Sequence, residues 1–192
     1  KSVDCLTINK MCGSGLKSIM LAAQSISSGE VDVAIAGGME SMSNAPHYLI
    51  KAREGYRLGH KQILDGIIQD GLWDVYNDKH MGTCAEMCAE RYGFSRNEQD
   101  AYAAESYRRA INAIESGFFE NEIVPVEVPQ RKEKNKTIRI DEEPYRANLD
   151  KFSKLNPVFQ REGTVTAANA SSINDGAAAC IFISGDKASS LG

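Results

Sequence analysis

The sequence predicts an α/β fold in which a sheet is layered with helices and a long irregular insertion interrupts the pattern. Residues 3–38 have the pattern of a strand, a glycine turn, a helix and a second strand. From Gly163 onwards the chain is again rich in small residues, which lead to another strand pattern. Residues 43–163 are richer in polar and charged residues and have long irregular connections. Alternating strands and helices are typical of a parallel sheet covered by helices.

The first elements are bounded by glycines. Residues 3–9 form a short apolar run that predicts a buried strand, and a tight turn follows over Asn9–Gly15. Apolar residues then recur at helical spacing, and Gly29 is a suitable C-terminal end for that helix. The run 31–36 predicts a second strand, which Gly37 and Gly38 are expected to close.

Two capping boxes predict helices in the middle of the chain. Thr83 with Glu86 opens a short helix through Arg91, and Ser95 with Glu98 opens a longer one that ends near Gly117. The longer helix has one face made of Ala101, Ala104, Tyr107, Ile111 and Ile114. Strands are predicted at 123–128, 137–140 and 178–184, with a charged turn at 131–136 and with Pro125 marking an edge strand.

Composition excludes several classes of function. The chain has 192 residues, 42% hydrophobic and 25% charged, as in a globular protein. Its 22 basic and 26 acidic residues give a net charge of −4, which argues against non-specific nucleic-acid binding. No apolar run approaches the roughly 20 residues of a membrane span, and the start resembles no targeting peptide.

Five cysteines without paired spacing indicate free thiols in a reducing compartment. Because apolar strand patterns lie at both ends, we expect a piece of a longer protein.

Cys12 is the strongest candidate for a chemical role. It follows a strand pattern and lies where the next helix begins, so free backbone N–H groups and the helix dipole favour a thiolate. Gly13 and Gly15 leave room for a substrate carbonyl beside the backbone, where amides are suited to stabilise an oxyanion. A buried, inert cysteine in a glycine turn is the alternative, and the residues alone leave the two evenly balanced.

His80, Cys84 and Cys88 share the spacing of one helix face, which raises the question of a metal site. On one helix the outer two would be about 12 Å apart, whereas zinc holds its ligands at about 2.0–2.3 Å. We therefore interpret the cysteines as helix core residues, with His80 free to line a pocket. His47 and His60 are interpreted as surface or loop residues.

Three further features allow a ligand but have simpler explanations. In the small-residue stretch 163–176, hard-cation ligands are offered by the carbonyls of Ala167, Ala168 and Ala170. Tight packing is favoured there, and Tyr107 is favoured as a core residue. Residues 131–154 combine Lys and Arg with Tyr145 and Phe152, which suits a phosphate or a purine, although a solvated loop is the favoured interpretation.

Four motifs, in order along the chain, resemble the active-site regions of the thiolase family. They are Asn9-Lys10-Met11-Cys12-Gly13-Ser14-Gly15, Ala36-Gly37-Gly38-Met39-Glu40-Ser41-Met42-Ser43, His80-Met81-Gly82 with Ala85-Glu86, and Gly163-Thr164-Val165-Thr166-Ala167-Ala168-Asn169-Ala170-Ser171. The resemblance covers essentially the whole chain and is greatest to the acetoacetyl-CoA-forming branch. It implies a layered α/β/α sheet that is an incomplete N-terminal thiolase half. Residues 1–42 and 164–192 would belong to that half, and 43–163 would be a loop domain covering coenzyme A.

The resemblance also implies a mechanism. The Cys12 thiolate would attack an acyl-CoA carbonyl to give an acetyl-enzyme, and the enolate of a second acetyl-CoA would attack that thioester in a Claisen condensation. The reverse reaction is thiolysis of acetoacetyl-CoA by coenzyme A. The resemblance also implies a place in lipid and ketone-body metabolism.

Binding residues are implied one position at a time. Arg146, Ala147, Asn148 and Lys151 match the stretch that meets the nucleotide end of coenzyme A, and Ser171 matches a serine that bonds the pantetheine arm. Pocket-lining positions are matched by Phe159, His80 and Met81, and Tyr107 is also implied to bind coenzyme A. A potassium site of the mitochondrial type, which steadies the loop that binds coenzyme A, is matched by Tyr107, Ala167, Ala168 and Ala170. No other cofactor is implied, and the protein would be a homodimer or homotetramer in mitochondria, with the cytosol as the alternative.

Some family features differ or are missing. Gly13 stands where many relatives carry Ala, which should affect packing rather than chemistry. The family completes its site with a Gly-His-Pro histidine, an Asn-Glu-Ala-Phe asparagine and a Cys-x-Gly-Gly cysteine, and none occurs in this sequence. We therefore expect the C-terminal thiolase domain to be absent and the piece alone to be inactive. Alternatives are a non-catalytic module that binds coenzyme A, a 3-ketoacyl-CoA thiolase of broader chain length, and an unrelated cysteine hydrolase.

Overall fold

The computed structural model describes residues 3–131 and 134–192, which form two compact units. The first unit contains the described residues up to Trp73 together with Ile173–Gly192, and the second is Asp74–Ser172. The predicted segment boundaries, after residues 42 and 163, came from composition and differ from these limits. The assignment of the segments to family domains stays a prediction.

Five short or medium strands lie between the first two α-helices of the described chain, and the later elements are mixed. The helices are α1 (Ser14–Ser27), α2 (Met81–Tyr92), α3 (Arg96–Glu115), α4 (Glu143–Arg146) and α5 (Gly185–Leu191). The strands are β1 (Val33–Ser41), β2 (His47–Leu49), β3 (Ile63–Asp65), β4 (Trp73–Asp74), β5 (Lys79–His80), β6 (Val126–Val128), β7 (Lys136–Ile138) and β8 (Asp175–Ile183). No helix among the described residues is long and apolar enough to cross a membrane.

The main sheet of the first unit pairs β1 with β8. The two strands run antiparallel, from Val33 opposite Ile183 to Ser41 opposite Asp175, so the parallel arrangement predicted from sequence is wrong for this pair. The prediction that Gly37 and Gly38 close the strand is also wrong, because β1 runs through both. Glycine is needed at Gly37 because a Cβ there would lie 2.2 Å from the Ala178 carbonyl oxygen.

Helix α1 packs closely on one face of this sheet. A Cβ on Gly38 would lie 3.1 Å from the Cα of Gly15, so the pair of glycines lets helix and strand backbones approach each other. The Ser18 hydroxyl lies 2.7 Å from the carbonyl oxygens of both Gly15 and Gly37, which ties the first turn of α1 to the middle of β1. Gly29 has φ +74° just after the helix, as its predicted role in ending the helix requires.

In the part of the chain that the structure describes, the opposite face of the sheet is exposed. Cross-strand partners share a face, and one face therefore carries five apolar side chains that are between 38% and 86% exposed: Val33, Ile35, Met39, Ile181 and Ile183. Residues 3–9 do not form the predicted strand, because no strand in the described part of the chain pairs with them. Val3 and Leu6 are accordingly exposed rather than buried.

The second unit is organised around α2 and α3. The predicted capping box at the start of α3 is confirmed, since the Ser95 hydroxyl accepts the Glu98 amide while the Glu98 carboxylate accepts the Ser95 amide. Strands β6 and β7 pair antiparallel, as expected, but each is shorter than predicted. The predicted turn at 131–136 includes residues 132 and 133, which lie outside the described residues.

The core of the second unit is small. Ala103, Phe152 and Ala168 form a buried cluster, against which the side chains of Ala104, Tyr107, Ala147 and Leu149 pack. The Tyr107 and Phe152 rings meet edge to face, with centroids 5.7 Å apart. Of the predicted apolar face of α3, Ala104 and Tyr107 reach this cluster, whereas Ala101 is exposed.

We expect Gly37→Ala to destabilise the protein by about 1–3 kcal/mol, since its Cβ meets the backbone of β8, which cannot move without disturbing the sheet. The measurement is the free energy of unfolding from urea denaturation. Gly176→Ala, in β8 with no atom within 4 Å of its Cβ, is the matched control and should change stability little. Equal effects of the two substitutions would contradict the close approach.

Candidate active site

Cys12 lies immediately before the N-cap of α1. Gly13 is the N-cap and contributes no side chain to the first-turn amides. The Cys12 thiol is exposed, and its backbone has φ +54°, in the left-handed region that non-glycine residues rarely adopt. Such a conformation costs about 1–3 kcal/mol and is characteristic of functional sites. The placement of Cys12 where a helix begins agrees with the sequence prediction, and the buried, inert cysteine is wrong because the residue is exposed.

Hydrogen bonds within the turn fix the backbone around Cys12. The Gly13 amide donates to the Lys10 carbonyl at 2.7 Å, and the Ser14 hydroxyl bonds both the amide and the carbonyl of Lys10 at 3.0 and 3.1 Å. The Gly13 amide is therefore occupied and is not the open oxyanion donor that the sequence suggested. Gly15 lies against Gly38 of β1, where a Cβ on Gly38 would come within 3.1 Å of the Gly15 backbone. The remaining first-turn amides of α1 are better placed for an anion.

A cavity of about 1140 Å³ in the first unit is lined by the Cys12 turn. Its walls include the Asn9–Gly15 turn, the end of β1 and the segment around Ile67. Tyr48 and Asp70 also line it, and the Tyr48 hydroxyl donates to the Asp70 carboxylate. That hydrogen bond raises the pKa of Tyr48 above its usual value. The cavity volume exceeds that of most drug-sized ligand pockets, which measure about 300–1,000 Å³.

The residues implied to bind coenzyme A all lie in the second unit. His80 accepts the Gly82 amide on Nδ1 at 3.0 Å, so it caps α2, and its ring stacks on Phe159 with centroids 5.1 Å apart. Met81 follows as the first residue of α2 and is 38% exposed. Phe159 fits over Gly82, where a Cβ would lie 2.3 Å from the ring. His80, Met81 and Phe159 thus lie together at the start of α2.

Glu86 has a role that the sequence did not predict. Its carboxylate is 5% exposed and accepts the Thr164 amide, the Thr164 hydroxyl and the Val165 amide at 2.8–2.9 Å. Burial alone would raise the pKa of Glu86, but these hydrogen bonds outweigh it and hold the pKa below its usual value. The predicted capping box with Thr83 is therefore wrong, because His80 caps α2 and the Glu86 carboxylate binds a distant segment instead.

A second polar network attaches the same segment to α3. The Asn169 amide donates to Asp100 at 2.9 Å and to the Thr164 carbonyl at 3.1 Å, while its own oxygen accepts the Thr166 amide at 2.7 Å. Asp100 also bonds Arg96 at 2.7 Å, and the Arg96 guanidinium donates to the Phe152 carbonyl at 2.6 Å. These contacts connect residues 164–169 with α3 and with the core.

Of the positions implied for potassium, Ala168 belongs to the core cluster and Tyr107 packs against it. Ala168 is buried in the cluster, Ala170 is half-buried and Ala167 is exposed. The Tyr107 hydroxyl donates to Glu143 at 2.9 Å, and burial together with this hydrogen bond raises the pKa of Tyr107. The packing role of Tyr107 is therefore confirmed, and the cation site stays a prediction.

The positions implied for the nucleotide end of coenzyme A lie at the end of α4 and in the residues that follow it. Arg146 lines a cleft of about 390 Å³ and is paired with Glu142 at 2.6 Å. Asn148, Lys151 and Ser171 are exposed, whereas the Ala147 side chain packs on the core, leaving mainly its backbone for a ligand. An incoming phosphate would compete with Glu142 for Arg146.

All five cysteines of the chain are free thiols, as predicted. Cys84 is half-buried and Cys88 is exposed, so the interpretation of both as core residues is wrong for Cys88. Among the described residues, no group of three or more His, Cys, Asp or Glu side chains is arranged to hold a metal ion.

Sequence reasoning missed Glu86, Asp100 and Asn169. One signal was available, because Glu86 shares the spacing of Gly82 and Ala89, the buried face of α2. A carboxylate on such a face needs a partner. The identity of that partner depends on a contact across 78 residues, which no local pattern reveals.

A layered α/β protein with a strained cysteine at the start of a helix is the class that these features define. The model of the thiolase N-terminal domain matches residues 1–186, and the chain belongs to the thiolase family. The match confirms the family and the layered α/β fold predicted from sequence.

Individual relatives agree with this assignment. The chain is 54% identical to acetyl-CoA acetyltransferase 2 of Arabidopsis thaliana and 51% identical to an acetyl-CoA acetyltransferase of Pseudomonas aeruginosa, matching 100% and 99% of this chain but 48% and 49% of those proteins. The Acat5 thiolase of Ascaris suum, solved with coenzyme A, superposes with a TM-score of 0.91 at 44% identity, over 100% of this chain and 48% of that one. The chain spans about half the length of the curated relatives it matches.

We expect Cys12→Gly to be more stable than Cys12→Ala by up to about 1 kcal/mol. Glycine adopts φ +54° without the steric cost of a Cβ, which is about 1–2 kcal/mol, and loses part of that gain through its freer unfolded chain. The measurement is the free energy of unfolding of both variants. At Lys17, inside α1, the same two substitutions should show the opposite order, because glycine disfavours helix. An Ala variant as stable as the Gly variant at position 12 would contradict the left-handed backbone.

The Glu86 contacts should be visible in the pH dependence of stability. Because the folded pKa lies below the ordinary value of 4.5, the stabilising contribution is complete above about pH 4.5 and is lost as the pH falls through the folded pKa. The difference in melting temperature between the parent protein and Glu86→Gln should therefore shrink from pH 6 towards pH 3. Glu90→Gln, with an exposed carboxylate on the same helix, is the control and should show no such trend. A difference that stays constant with pH would refute the prediction.

Proposed function

We propose that this chain supplies the nucleophilic half of an acetyl-CoA acetyltransferase. The Cys12 sulfur attacks the acetyl-CoA carbonyl, and coenzyme A leaves as its thiolate, giving an acetyl-enzyme. The enolate of a second acetyl-CoA then attacks the acetyl carbon, and Cys12 leaves as the acetoacetyl-CoA product forms. The observation that carries the proposal is the exposed Cys12 thiol, held in a left-handed turn before α1 and lining a large cavity.

The turn suits covalent catalysis for two physical reasons. A sharp turn before a helix presents the nucleophile outward, as strained nucleophile turns do in other enzyme classes. The uncapped first turn of α1 directs partial positive charge towards the same region, which favours an oxyanion. The open first turn follows from Gly13, because glycine at the N-cap has no side chain to accept the first-turn amides.

The substrate class is supported by the relatives. Those from Arabidopsis and Pseudomonas are named acetyl-CoA acetyltransferases, and the Ascaris structure contains coenzyme A. In this chain, coenzyme A would bind on the second unit, with its nucleotide end near Arg146, Ala147, Asn148 and Lys151. The pantetheine arm would meet Ser171, and His80, Met81 and Phe159 would line the acyl pocket. Potassium at Tyr107, Ala167, Ala168 and Ala170 would steady this region.

The rest of the active site is proposed to lie outside the 192 residues. Neither the family's Gly-His-Pro histidine nor its Cys-x-Gly-Gly cysteine occurs in the sequence, and both the condensation and the thiolysis need a base. The isolated piece is therefore expected to be inactive. A homodimeric or homotetrameric protein in mitochondria remains our proposal for the assembly and its location.

We expect Cys12→Ser in the full-length protein to lower the rate of acetoacetyl-CoA thiolysis by at least about 10³-fold, since an unactivated hydroxyl is a far weaker nucleophile than a thiolate. The rate is measured by the loss of acetoacetyl-CoA absorbance in the presence of coenzyme A. Cys88→Ser, at an exposed thiol on α2, should keep parental activity.

Labelling separates the nucleophile from other thiols. Iodoacetamide should label Cys12 fastest of the five cysteines and abolish turnover in step with that labelling, while acetyl-CoA should protect it. Loss of activity without modification of Cys12 would reject the proposal. Release of free acetate from acetyl-CoA by the parent protein, without condensation, would instead favour a cysteine hydrolase.

A further inference from the structure

We propose that Glu86 is a positioning residue for acyl-CoA binding. Its carboxylate holds the segment Leu155–Asn174, and thereby sets the positions of Phe159 on one side of the contact and Ser171 on the other. This inference rests on the proposed function, because it assumes that Phe159 and Ser171 meet the substrate. Glu86 itself is assigned no contact with the reacting atoms.

The segment depends on side chains for its shape. Residues 155–174 contain no helix or strand, so their backbone groups have no ladder to bond to. Thr166 is fully buried and Val165 is 5% exposed, so water is not an adequate partner at this point. The Thr164 and Val165 amides bond the Glu86 carboxylate instead. Removing that acceptor leaves buried donors unsatisfied, which is costly.

A carboxylate is specifically required at position 86. Its two oxygens accept two amides and the Thr164 hydroxyl, and because that hydroxyl itself accepts the Gln99 side-chain amide at 2.9 Å, its proton is directed to Glu86. Glutamine has the same shape but would turn an NH₂ group towards these donors. Gly163 completes the fit, because a Cβ there would lie 2.2 Å from the nearer Glu86 oxygen. The contact therefore constrains the residue type at both Glu86 and Gly163.

The carboxylate lies between the two proposed substrate contacts. Upstream of it, the Val158 amide bonds the Val165 carbonyl at 3.0 Å, and Phe159 lies on Gly82 in the first turn of the helix that carries Glu86. Downstream, Asn169 is held by Asp100 two residues before Ser171. A shift at Thr164 would be transmitted to both sides, since the Val158 bond and the Asn169 bond both end on residues 164–165.

The test uses the full-length protein and the thiolysis of acetoacetyl-CoA. Glu86→Gln should raise the KM for acetoacetyl-CoA by at least about tenfold, with kcat within about threefold of the parent and Cys12 alkylation by iodoacetamide at the parental rate. Glu90→Gln, on the same helix, should match the parent in all three. An unchanged KM would overturn the proposal. A rise in KM that is accompanied by a fall in kcat and in the alkylation rate would also overturn it.

A milder variant covers the case in which Glu86→Gln does not fold. Thr164→Val removes one of the hydrogen bonds to Glu86, together with the one that the Thr164 hydroxyl accepts from Gln99, and keeps both amides, so KM should rise by about two- to fivefold with kcat unchanged. An unaltered KM in this variant would overturn the inference. Failure of the proposed function is separately visible, because the parent protein would then show no thiolysis at all.

Discussion

The approach of α1 to β1 at Gly15 and Gly38 is the contact on which the nucleophile turn depends. The two backbones come so near that a Cβ on Gly38 would lie 3.1 Å from Gly15. The helix can therefore begin directly against the strand, and the Ser18 hydroxyl bonds across the junction. With the helix start fixed in this way, the chain that enters it must turn sharply, and Cys12 takes up the left-handed conformation of that turn.

The second unit achieves order by a different route. Its buried cluster is small, and much of its chain between α4 and β8 lies outside regular structure. The buried carboxylates of Glu86 on α2 and Asp100 on α3, together with the Asn169 amide of the segment itself, replace the missing ladder. Such networks define one conformation when every member is satisfied, and they lose it when one acceptor is removed. Precise placement of a ligand-binding segment is thereby possible without a large apolar core.

Local patterns predicted the elements well but not their partners. Apolar periodicity and glycine placement gave α1, and the Ser95 box gave α3, because those signals act within a few residues. The same kind of signal at Thr83 was misleading, since Glu86 is bound by residues about 80 positions away. Strand patterns identified β1 and β8 but not their antiparallel pairing, and they assigned residues 3–9 to a strand that has no partner in the described chain.

The site shows the same division. Cys12 could be predicted from its place between a strand pattern and a helix, and the four motifs identified the family. The left-handed backbone conformation at Cys12 could not be predicted, because nothing in the residue type requires it. We attribute that conformation to the packing of α1. The hydrogen bond of the Gly13 amide was equally hidden, since its acceptor is the backbone carbonyl of Lys10, a group that every residue type carries.

The bare side of the β1–β8 sheet, from Val33 to Ile183, has a practical consequence for anyone producing the chain by itself. Branched and thioether side chains facing water attract one another, and unpaired strand edges next to them offer a ready template for stacking. Recombinant material would thus tend to cluster as it is concentrated, and dilute solutions or a solubilising fusion partner would be needed to keep it dispersed.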